Sequence, residues 1–526
     1  MMGLIKSYTT KKISITHYPL INVCIHGHFY QPPRENPWTG EIEKQPGASP
    51  YHDWNEKIYQ ECYKPNAMAL ILNDKGVVLK SVNNYEYLNF NFGPTLLHWI
   101  YTKHPDTYKK IIEADMESVK AHHGHGNAIA MAYNHIIMPL ANLQDKITQI
   151  RWGLKDFEYH FGRKAESIWL PETACNMDTI EVLIQENIRY IILDTSQAES
   201  IRKIENIEWM DESHGNLDPK IPYRCSSEKD PAKYINIFFY DGPISKAVAF
   251  DDVLGSSNSL LNKILHAAPQ NIKDGVLINI ATDGETFGHH KKSAERTLAY
   301  FVAVLADANK LNIVNYGEYL EQHPAEYEVK IKPGKNGEGT SWSCPHGVER
   351  WKDDCGCAGG GGWNQKWRKP LRESLDWLRD EMIKIYQNIG SQYLKDVWKA
   401  RNEYIELILD NSHERRLKFF ESNAVRILSN SEVDLCYRLL DMQKYSMFMF
   451  TSCGWFYSEI SGIEAVQILQ YAARAIELAE DVCRVKLEDE FVNRLSVAKS
   501  NINEFKDGRG VWEKLVKPAK LIANRD

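Results

Sequence analysis

The sequence has no long apolar run, no long basic run and no evident internal repeat. Its 526 residues carry a net charge of −7. Without a run of about 18 apolar residues, a membrane-spanning helix is not expected, and without a basic stretch neither is a nucleic-acid partner. The N-terminus lacks the apolar core of a secretory signal peptide, so we expect a cytoplasmic location.

Cysteine is sparse and scattered, whereas aromatic residues are abundant. The 10 cysteines in 526 residues are typical of reduced thiols rather than of a disulfide framework. The 14 Trp and 27 Tyr residues exceed what a core requires. Surplus Trp and Tyr side chains often line clefts for flat ligands such as sugar rings.

Runs rich in Ile, Val, Leu and Phe alternate with helix-like runs over the first 320 residues. Continuous apolar runs are typical of parallel strands that are buried on both faces. The candidate strands are 21–27, 76–83, 167–171, 190–195, 235–242, 276–284 and 311–316. This alternation predicts an α/β fold, most simply a parallel barrel.

The composition changes near residue 330. The segment that follows is rich in Gly, Cys and Trp and shows little periodicity, after which apolar residues such as Leu371 and Leu375 recur at helical spacing. We therefore predict a barrel at 1–329, a loop segment at 330–367 and a mainly helical C-terminal region at 368–526.

Polar residues follow most of the candidate strands. They are His26 and His28 after the first strand, and then Glu172, Asp194, Asp241, Asp283 and Glu285 after later ones. A parallel barrel brings the C-terminal ends of its strands to one rim, where its chemistry occurs. We expect these side chains to converge there.

Glu172 and Asp283 are the candidate catalytic pair. Two carboxylates are the minimum requirement for cleaving a glycosidic bond, because one attacks or stabilises the anomeric carbon and the other protonates the leaving oxygen. The alternative is that each carboxylate caps the following helix, and the same alternative applies to Glu285.

His26 and His28 lie on the same face of an extended segment. They could donate hydrogen bonds to sugar hydroxyls or hold a metal, and Asp283 with His289 could likewise complete a zinc site. Polar side chains satisfied within a loop are the alternative.

A second histidine group lies at residues 122–125. Gly124 and Gly126 indicate a backbone shaped for close approach, which favours a functional role for this group. For His135, further along the chain, a position on a helix surface or in the core is the alternative to a site role.

The loop segment contains further candidate zinc ligands, namely Cys344, His346, Cys355 and Cys357. Their spacing is not that of a common zinc ribbon or finger, which uses CxxC-type knuckles. The alternative is a glycine-loosened lid that exposes Trp342, Trp351 and Trp363 to a ligand. The sequence leaves open whether a metal binds here.

Four motifs, in this order, resemble the signatures of family 57 glycoside hydrolases. They are HGHFYQPPRENPW, GNAIAMAYNHIIMPL, WLPETA and TDGETFGHH. The family acts on α-glucans, as amylases, branching enzymes and 4-α-glucanotransferases, on an incomplete (β/α)7 barrel with retaining chemistry. From TSWSCPHGVERW onward, the sequence is similar to a domain of unknown function that is often fused after that barrel.

The resemblance implies roles for individual residues. Glu172 stands at the position of the family's nucleophile, and Asp283 at that of its general acid/base. The residues expected to bind substrate are His26, His28, Gln31, His135, Trp169, Asp241, His289, Trp342 and Trp351. The second motif departs from the family in lacking a glutamate before its tyrosine.

The sequence therefore predicts a retaining glycoside hydrolase or transglycosylase that acts on α-glucans, with no cofactor and no catalytic metal. The alternatives are a non-catalytic glucan-binding protein and a metal-dependent carbohydrate hydrolase or deacetylase built on His26, His28 and Asp283. The choice among hydrolysis, transfer and branching, the linkage and chain-length preference, the oligomeric state and the role of the C-terminal region stay open.

Overall fold

The structure, a computed structural model, describes residues 21–212, 217–269, 275–357, 360 and 362–523. Its elements form a ring of parallel strands with surrounding helices, followed by a helical region that packs on the ring. Within the described ranges, no helix is both long and apolar enough to cross a membrane.

Among the described residues, seven parallel strands form the ring. They are β1 (Ile21–Phe29), β2 (Asn89–Phe92), β3 (Ala130–Met131), β4 (Ile168–Trp169), β5 (Tyr190–Asp194), β6 (Tyr234–Tyr240) and β7 (Val276–Asp283). Ladders join β7 to β1, β1 to β2, β3 to β4 and β5 to β6. Single bridges join β2 to β3 and β4 to β5, and the Asp241 N–H donates to the Asn279 carbonyl at 2.9 Å across β6 and β7. The predicted (β/α)7 barrel is confirmed.

Further strands lie outside the ring. They are Ala69–Leu72, Val78–Val82, Ala198–Lys203, Met210–Asp211, Tyr223–Ser226, Leu311–Ile313 and Tyr327–Ile331. Leu311–Ile313 pairs with the first residues of β1, whereas β2 pairs with its last residues. A short segment therefore stands beside β1 in place of a full eighth strand, and the barrel is incomplete.

The strand prediction is wrong at two places. Residues 76–83 are not a buried parallel strand, because Val78–Val82 forms an exposed antiparallel hairpin with Ala69–Leu72. The strands β2 and β3 were not predicted, since β2 alternates Asn with Phe and β3 has only two residues. In β2, Asn89 and Asn91 contact the histidines of β1 inside the barrel.

Large side chains fill the barrel interior. One buried cluster contains Cys24, Met131, Trp169, Tyr190, Ile192, Phe238, Tyr240, Tyr316 and Tyr319. Tyr316 and Tyr319 belong to the helix Tyr316–Gln322, and the Tyr319 hydroxyl donates to the carbonyl of Gly275, just before β7. This helix plugs the N-terminal end of the barrel, so ligands have access from the C-terminal rim.

Helices surround the barrel and bury one face against it. The longer ones are Pro94–Lys103, Pro105–Ala121, Leu143–Phe161, Met177–Gln185, Gly242–Phe250, Ser257–Ala267 and Ala294–Tyr300. The sequence sets the ends of Leu143–Phe161: the Asn142 side chain accepts a hydrogen bond from the Asp145 N–H at its start, and Gly162 ends it with a φ of 67°.

The helical region begins at Arg368 and covers part of the rim. Its helices are Arg368–Gly390, Val397–Glu403, Ile405–Leu409, His413–Asn423, Asn430–Phe448, Cys453–Phe456, Ile463–Cys483, Glu488–Leu495, Gly508–Val511 and Lys517–Ala523. The Ser452 N–H donates to the His135 carbonyl at 2.9 Å, which attaches this region to the loop after β3.

A buried ion pair also joins the helical region to the barrel. Arg401, in Val397–Glu403, donates to Asp145 Oδ1 at 2.8 Å and to Gln443 Oε1 at 2.9 Å. The side chains of Arg401 and Asp145 are 1 % and 6 % exposed. Removing one partner would leave the other charge buried without compensation.

Asp145→Ala should therefore lower the free energy of unfolding by about 3–5 kcal/mol, measured by denaturant unfolding followed by circular dichroism. Glu186→Ala is the matched control, because it breaks the Arg151–Glu186 pair, also 2.8 Å long, in which Arg151 is 47 % exposed. That change should cost less than about 1 kcal/mol. Equal losses of unfolding free energy in the two variants would contradict the conclusion that the Arg401–Asp145 pair is a buried, stabilising ion pair.

Candidate active site

The rim of the barrel surrounds a cavity of about 410 Å³. The barrel contributes His28, Tyr30, Gln31, His135, Glu172, Asp283, Glu285 and His289, and the helical region contributes Cys453, Phe456, Tyr457, Ile463 and Glu464. The two predicted catalytic carboxylates therefore share one cavity, although they lie on different strands.

The register of β1 determines which polar residues meet at the rim. His28 pairs with Asp283 of β7 on one side and with Asn91 of β2 on the other. His26 lies one step deeper, with Nδ1 2.7 Å from Asn89 Oδ1 and Nε2 3.1 Å from Asn91 Oδ1. Both ring nitrogens of His26 are thus engaged by amide side chains.

Aromatic rings stack beneath the cavity. The rings of Tyr30 and His135 are parallel, with centroids 3.8 Å apart, and His28 Nε2 is 3.3 Å from His135 Nε2. His26 and His28 both stack on Trp169. Burial lowers the pKa of His26 to about 4 and that of His28 to about 3, so both imidazoles are neutral near pH 7.

Glu172 has a strained backbone that neighbouring residues hold in place. Its φ is 58°, and the following Thr173 has a φ of 49°, which β-branched residues rarely adopt. The Trp342 N–H donates to the Glu172 carbonyl at 3.0 Å. The Trp342 indole N–H and the Ser343 hydroxyl both donate to Glu172 Oε2, at 3.0 Å and 2.6 Å. Segment 330–367 thus fixes both the backbone and the carboxylate.

Asp283 ends β7, with its side chain exposed to the cavity. Desolvation by the surrounding protein and the nearby charge of Glu172 raise its pKa to about 7. Desolvation also raises the pKa of Glu172, but hydrogen bonds from Ser343 and Trp342 and the charge of Arg350 oppose that rise. The environments therefore favour a proton on Asp283 and a negative charge on Glu172.

Neither candidate catalytic carboxylate caps a helix. Glu285 does not act as a cap either: it is buried and accepts hydrogen bonds from the Tyr30 N–H at 2.9 Å and the Tyr63 hydroxyl at 2.6 Å. Gly284 is required for close packing, since a Cβ there would lie 2.3 Å from the ring of Phe29. Glu285 and Gly284 together fix the end of β7 against the end of β1.

The predicted substrate-binding residues divide into two groups. His28, Gln31, His135 and His289 line the cavity, whereas His26, Trp169, Asp241, Trp342 and Trp351 are not among its lining residues. His26 and Trp169 support the ring stack, and Trp342 holds Glu172.

Asp241 and Trp351 have structural positions instead. Asp241 begins the helix Gly242–Phe250, where its side chain accepts a hydrogen bond from the Ile244 N–H at 3.3 Å. The expectation that Trp351 is exposed to ligand is wrong, because its side chain is completely buried in the core.

The predicted functional histidines at 122–125 lie at the opposite end of the barrel. His125 Nδ1 is 2.9 Å from Glu166, which precedes β4, and His122 Nδ1 is 2.7 Å from Glu318 of the plug helix. This group therefore lies outside the rim site and contacts carboxylates at the closed end, and a function for it stays a prediction.

Sequence reasoning missed Tyr30, Ser343, Tyr457 and Glu464. Tyr30 continues the alternation of His26 and His28, so strand periodicity was a usable signal. No comparable signal marks the other three, because their places depend on how the later segments cross the rim.

The metal-dependent alternative has little support at the rim. In the part of the chain that the structure describes, the potential metal ligands that cluster in a group of three or more are Cys344, His346, Cys355 and Cys357. His26, which that alternative requires, has both ring nitrogens occupied by asparagine side chains.

The fold is an incomplete (β/α)7 barrel with Glu172 and Asp283 at one rim cavity. The model of Glycosyl hydrolase family 57 matches residues 4–332, and the chain belongs to that family. A model described as a domain of unknown function, DUF3536, matches residues 363–525. The predicted divisions at 1–329, 330–367 and 368–526 stay predictions.

Relatives and solved structures of the same kind resemble this chain. A 4-alpha-glucanotransferase of Thermococcus litoralis is 21 % identical over 273 residues, which is 49 % of this chain and 36 % of that protein. An alpha-amylase of Pyrococcus furiosus is 23 % identical over 305 residues, 55 % of this chain and 40 % of that one. The chain thus spans two fifths or less of the length of the curated relatives it matches.

Two solved structures share the fold over nearly the whole chain. An exo-type maltose-forming amylase of Pyrococcus sp. ST04 has a TM-score of 0.64 at 14 % identity and covers 96 % of this chain and 94 % of its own. A branching enzyme of Pyrococcus horikoshii has a TM-score of 0.55 at 13 % identity, with coverage of 95 % and 94 %. At these identities the likeness establishes the fold.

Asp283→Asn should raise the melting temperature, because the raised pKa of Asp283 means that the folded state disfavours its charge. The folded protein keeps this proton up to about pH 7, while the unfolded chain loses it near about pH 4. Wild-type stability should therefore fall across that interval relative to the variant.

Thermal denaturation from about pH 5 to about pH 8 measures the effect. The advantage of Asp283→Asn should grow with pH up to about 7 and then level off. Asp241→Asn is the matched control, since it changes a carboxylate that follows β6 but does not line the cavity to an amide. An Asp283→Asn advantage that does not grow with pH would contradict the assigned desolvation.

Proposed function

We propose that the protein is a retaining glycoside hydrolase or transglycosylase that acts on α-glucans, in the cytoplasmic location expected from the sequence. The observation that carries the proposal is that Glu172 and Asp283 line one cavity and that the charge of Glu172 helps to raise the pKa of Asp283 to about 7. A charged carboxylate beside a carboxyl group that keeps its proton suits the first as nucleophile and the second as acid. Family membership and the α-glucan activities named for the relatives support the substrate class.

Glu172 is the nucleophile of this mechanism. Its Oε2 accepts both side-chain hydrogen bonds, from Trp342 and Ser343, which leaves Oε1 as the attacking atom. Attack on the anomeric carbon forms a glycosyl-enzyme ester while the bond to the leaving oxygen breaks.

Asp283 supplies the proton that the leaving oxygen needs and later takes one back. In the second step it deprotonates water or an acceptor sugar hydroxyl, which displaces Glu172 from the anomeric carbon. Two displacements retain the anomeric configuration and require carboxyl groups about 5–5.5 Å apart.

The cavity walls orient the sugar. His28 and His135 line the cavity, and burial lowers the pKa of each imidazole, so they add no positive charge beside the sugar near pH 7. Gln31 offers an amide, and Phe456 and Tyr457 of the helical region offer apolar ring faces.

Product analysis tests the activity. Amylose and short maltooligosaccharides should yield shorter sugars by hydrolysis, a ladder of shorter and longer sugars by transfer, or new branch points by branching. Glucan binding without any product, across several glucans, would contradict the proposal and indicate a binding protein.

Glu172→Ala and Asp283→Ala should assign the two roles. Each should lower turnover of maltooligosaccharides by at least about 10²-fold, whereas Asp241→Asn, the control, should stay near wild type. With α-maltosyl fluoride, whose leaving group needs no proton, the kcat/KM of Asp283→Ala should recover most of its loss, while its kcat stays limited by the second step, in which Asp283 is the base.

Added azide distinguishes the two carboxylates through the anomer of the product, read by NMR. In Glu172→Ala, azide replaces the nucleophile and should give the β-azide. In Asp283→Ala, azide attacks the glycosyl-enzyme and should give the α-azide. The reverse pairing, or wild-type turnover in either variant, would overturn the assignment.

The pH dependence of kcat/KM should show the titration of both Asp283 and Glu172. Because Asp283 must hold a proton, kcat/KM should fall as pH rises through about 7. Ser343→Ala removes a hydrogen bond that lowers the pKa of Glu172, so the acidic limb should move to higher pH. Ser343→Thr, which keeps the hydroxyl, is the control, and an unmoved acidic limb in Ser343→Ala would refute the role of the Ser343 hydroxyl.

A further inference from the structure

Three thiols and one imidazole cluster in segment 330–367, outside the carboxylate site. They belong to Cys344, His346, Cys355 and Cys357, and their ligand atoms all lie within 4.8 Å of one another. All four residues precede the first long helix of the helical region, Arg368–Gly390. No step of the proposed mechanism uses them.

The distances suit a tetrahedral metal ion. His346 Nδ1 lies 3.6 Å from Cys357 Sγ and 4.0 Å from Cys344 Sγ. Sulfur and nitrogen ligands at about 2.3 Å and about 2.0–2.1 Å from a tetrahedral zinc ion are about 3.5–3.8 Å apart. The two nitrogen–sulfur separations lie within about 0.5 Å of that range, and all the ligand atoms lie within 4.8 Å of one another, so coordination needs side-chain shifts of about 1 Å or less.

The loop at Cys344 directs backbone donors to its sulfur. The N–H groups of His346 and Arg350 both donate to Cys344 Sγ. The chain turns back at Gly347, whose φ is 81° and whose N–H donates to the Cys344 carbonyl at 3.0 Å. Backbone N–H donors of this kind stabilise a thiolate that ligates a metal.

The second loop has the same features. Gly356 has a φ of 76°, and the Cys357 N–H donates to Cys355 Sγ. Arg368 Nη1 lies 3.8 Å from Cys355 Sγ. Two short loops therefore present a ligand pair each, with donors arranged around the sulfurs.

We propose that Cys344, His346, Cys355 and Cys357 bind one structural zinc ion. Three thiolates and a neutral imidazole with Zn²⁺ carry a net charge of −1, which the nearby guanidinium of Arg368 offsets. Four protein ligands fill the coordination sphere and leave no position for water, so this is a structural site. Each cysteine releases its proton on binding.

The ion would fix the segment that positions the nucleophile. Cys344 directly follows Trp342 and Ser343, whose side chains donate to Glu172 Oε2. This consequence rests on the proposed function: removal of zinc should free Ser343 and Trp342 and lower kcat more than it raises KM.

Metal analysis tests the site without any assay of activity. Protein purified without added metal should contain about one zinc per chain by mass spectrometry, and Cys344→Ser and Cys357→Ser should each lose it. Cys483→Ser, which changes a half-buried cysteine on Ile463–Cys483, is the matched control and should retain the ion. Cobalt(II) added to metal-free protein should give a thiolate-to-cobalt charge-transfer band that the two cluster variants lack.

Each outcome decides one claim. A wild-type protein without zinc and without the cobalt band, or one with a disulfide among the three cysteines, overturns the metal site and leaves the carboxylate mechanism standing. Bound zinc without glucan turnover supports the site and refutes the proposed function. Equal kcat with and without zinc overturns the positioning role. If the cluster variants do not fold, the wild-type metal content and cobalt spectrum still decide.

Discussion

The pairing of β1 with β7 on one side and with β2 on the other is the constraint on which the rim depends. It sets His28 beside both Asp283 and Asn91. A slip of one residue would turn His26 and His28 away from the interior, since side chains alternate along a strand. The asparagines of β2 satisfy the buried imidazoles, and this makes a polar layer stable inside the barrel.

The barrel alone does not complete the site. The end of β4 provides Glu172, but segment 330–367 provides the donors that hold its carboxylate. The helical region then contacts the ring stack, where Ser452 Oγ lies 2.6 Å from His135 Nδ1. The region matched by a family model of unknown function is therefore part of the wall of the cavity, and its packing on the barrel bears directly on the geometry at the rim.

The sequence predicted what short-range patterns encode. Apolar runs indicated β1, β4, β5, β6 and β7, and polar residues at strand ends indicated Glu172, Asp283 and His28, which line one cavity. Sequence patterns failed to predict the strands and contacts that depend on packing between distant segments. Alternating Asn and Phe in β2 looked unlike a buried strand, because its polar residues serve partners on another strand.

The loop segment illustrates the same limit. Trp351 in a glycine-rich stretch has the local appearance of an exposed ring, yet tertiary packing buries it completely. The contact between Ser343 and Glu172 spans 171 positions in the chain, and nothing near Ser343 marks it. The role of a residue that acts on a partner distant in the sequence can be assigned only when the fold is known.

The charges around the carboxylates explain how one acid can serve both steps of the proposed mechanism. The stacked imidazoles are neutral, and Arg34, which also lines the cavity, lies 3.8 Å from the carboxylate of Glu464. After desolvation, the negative charge of Glu172 is what raises the pKa of Asp283. Formation of the glycosyl ester removes that charge, so the pKa of Asp283 must then fall. While Glu172 is free and charged, Asp283 keeps its proton and can donate it. Once Glu172 is esterified, a larger fraction of Asp283 is deprotonated and can act as the base. The charge state of the nucleophile therefore determines whether Asp283 acts as acid or as base.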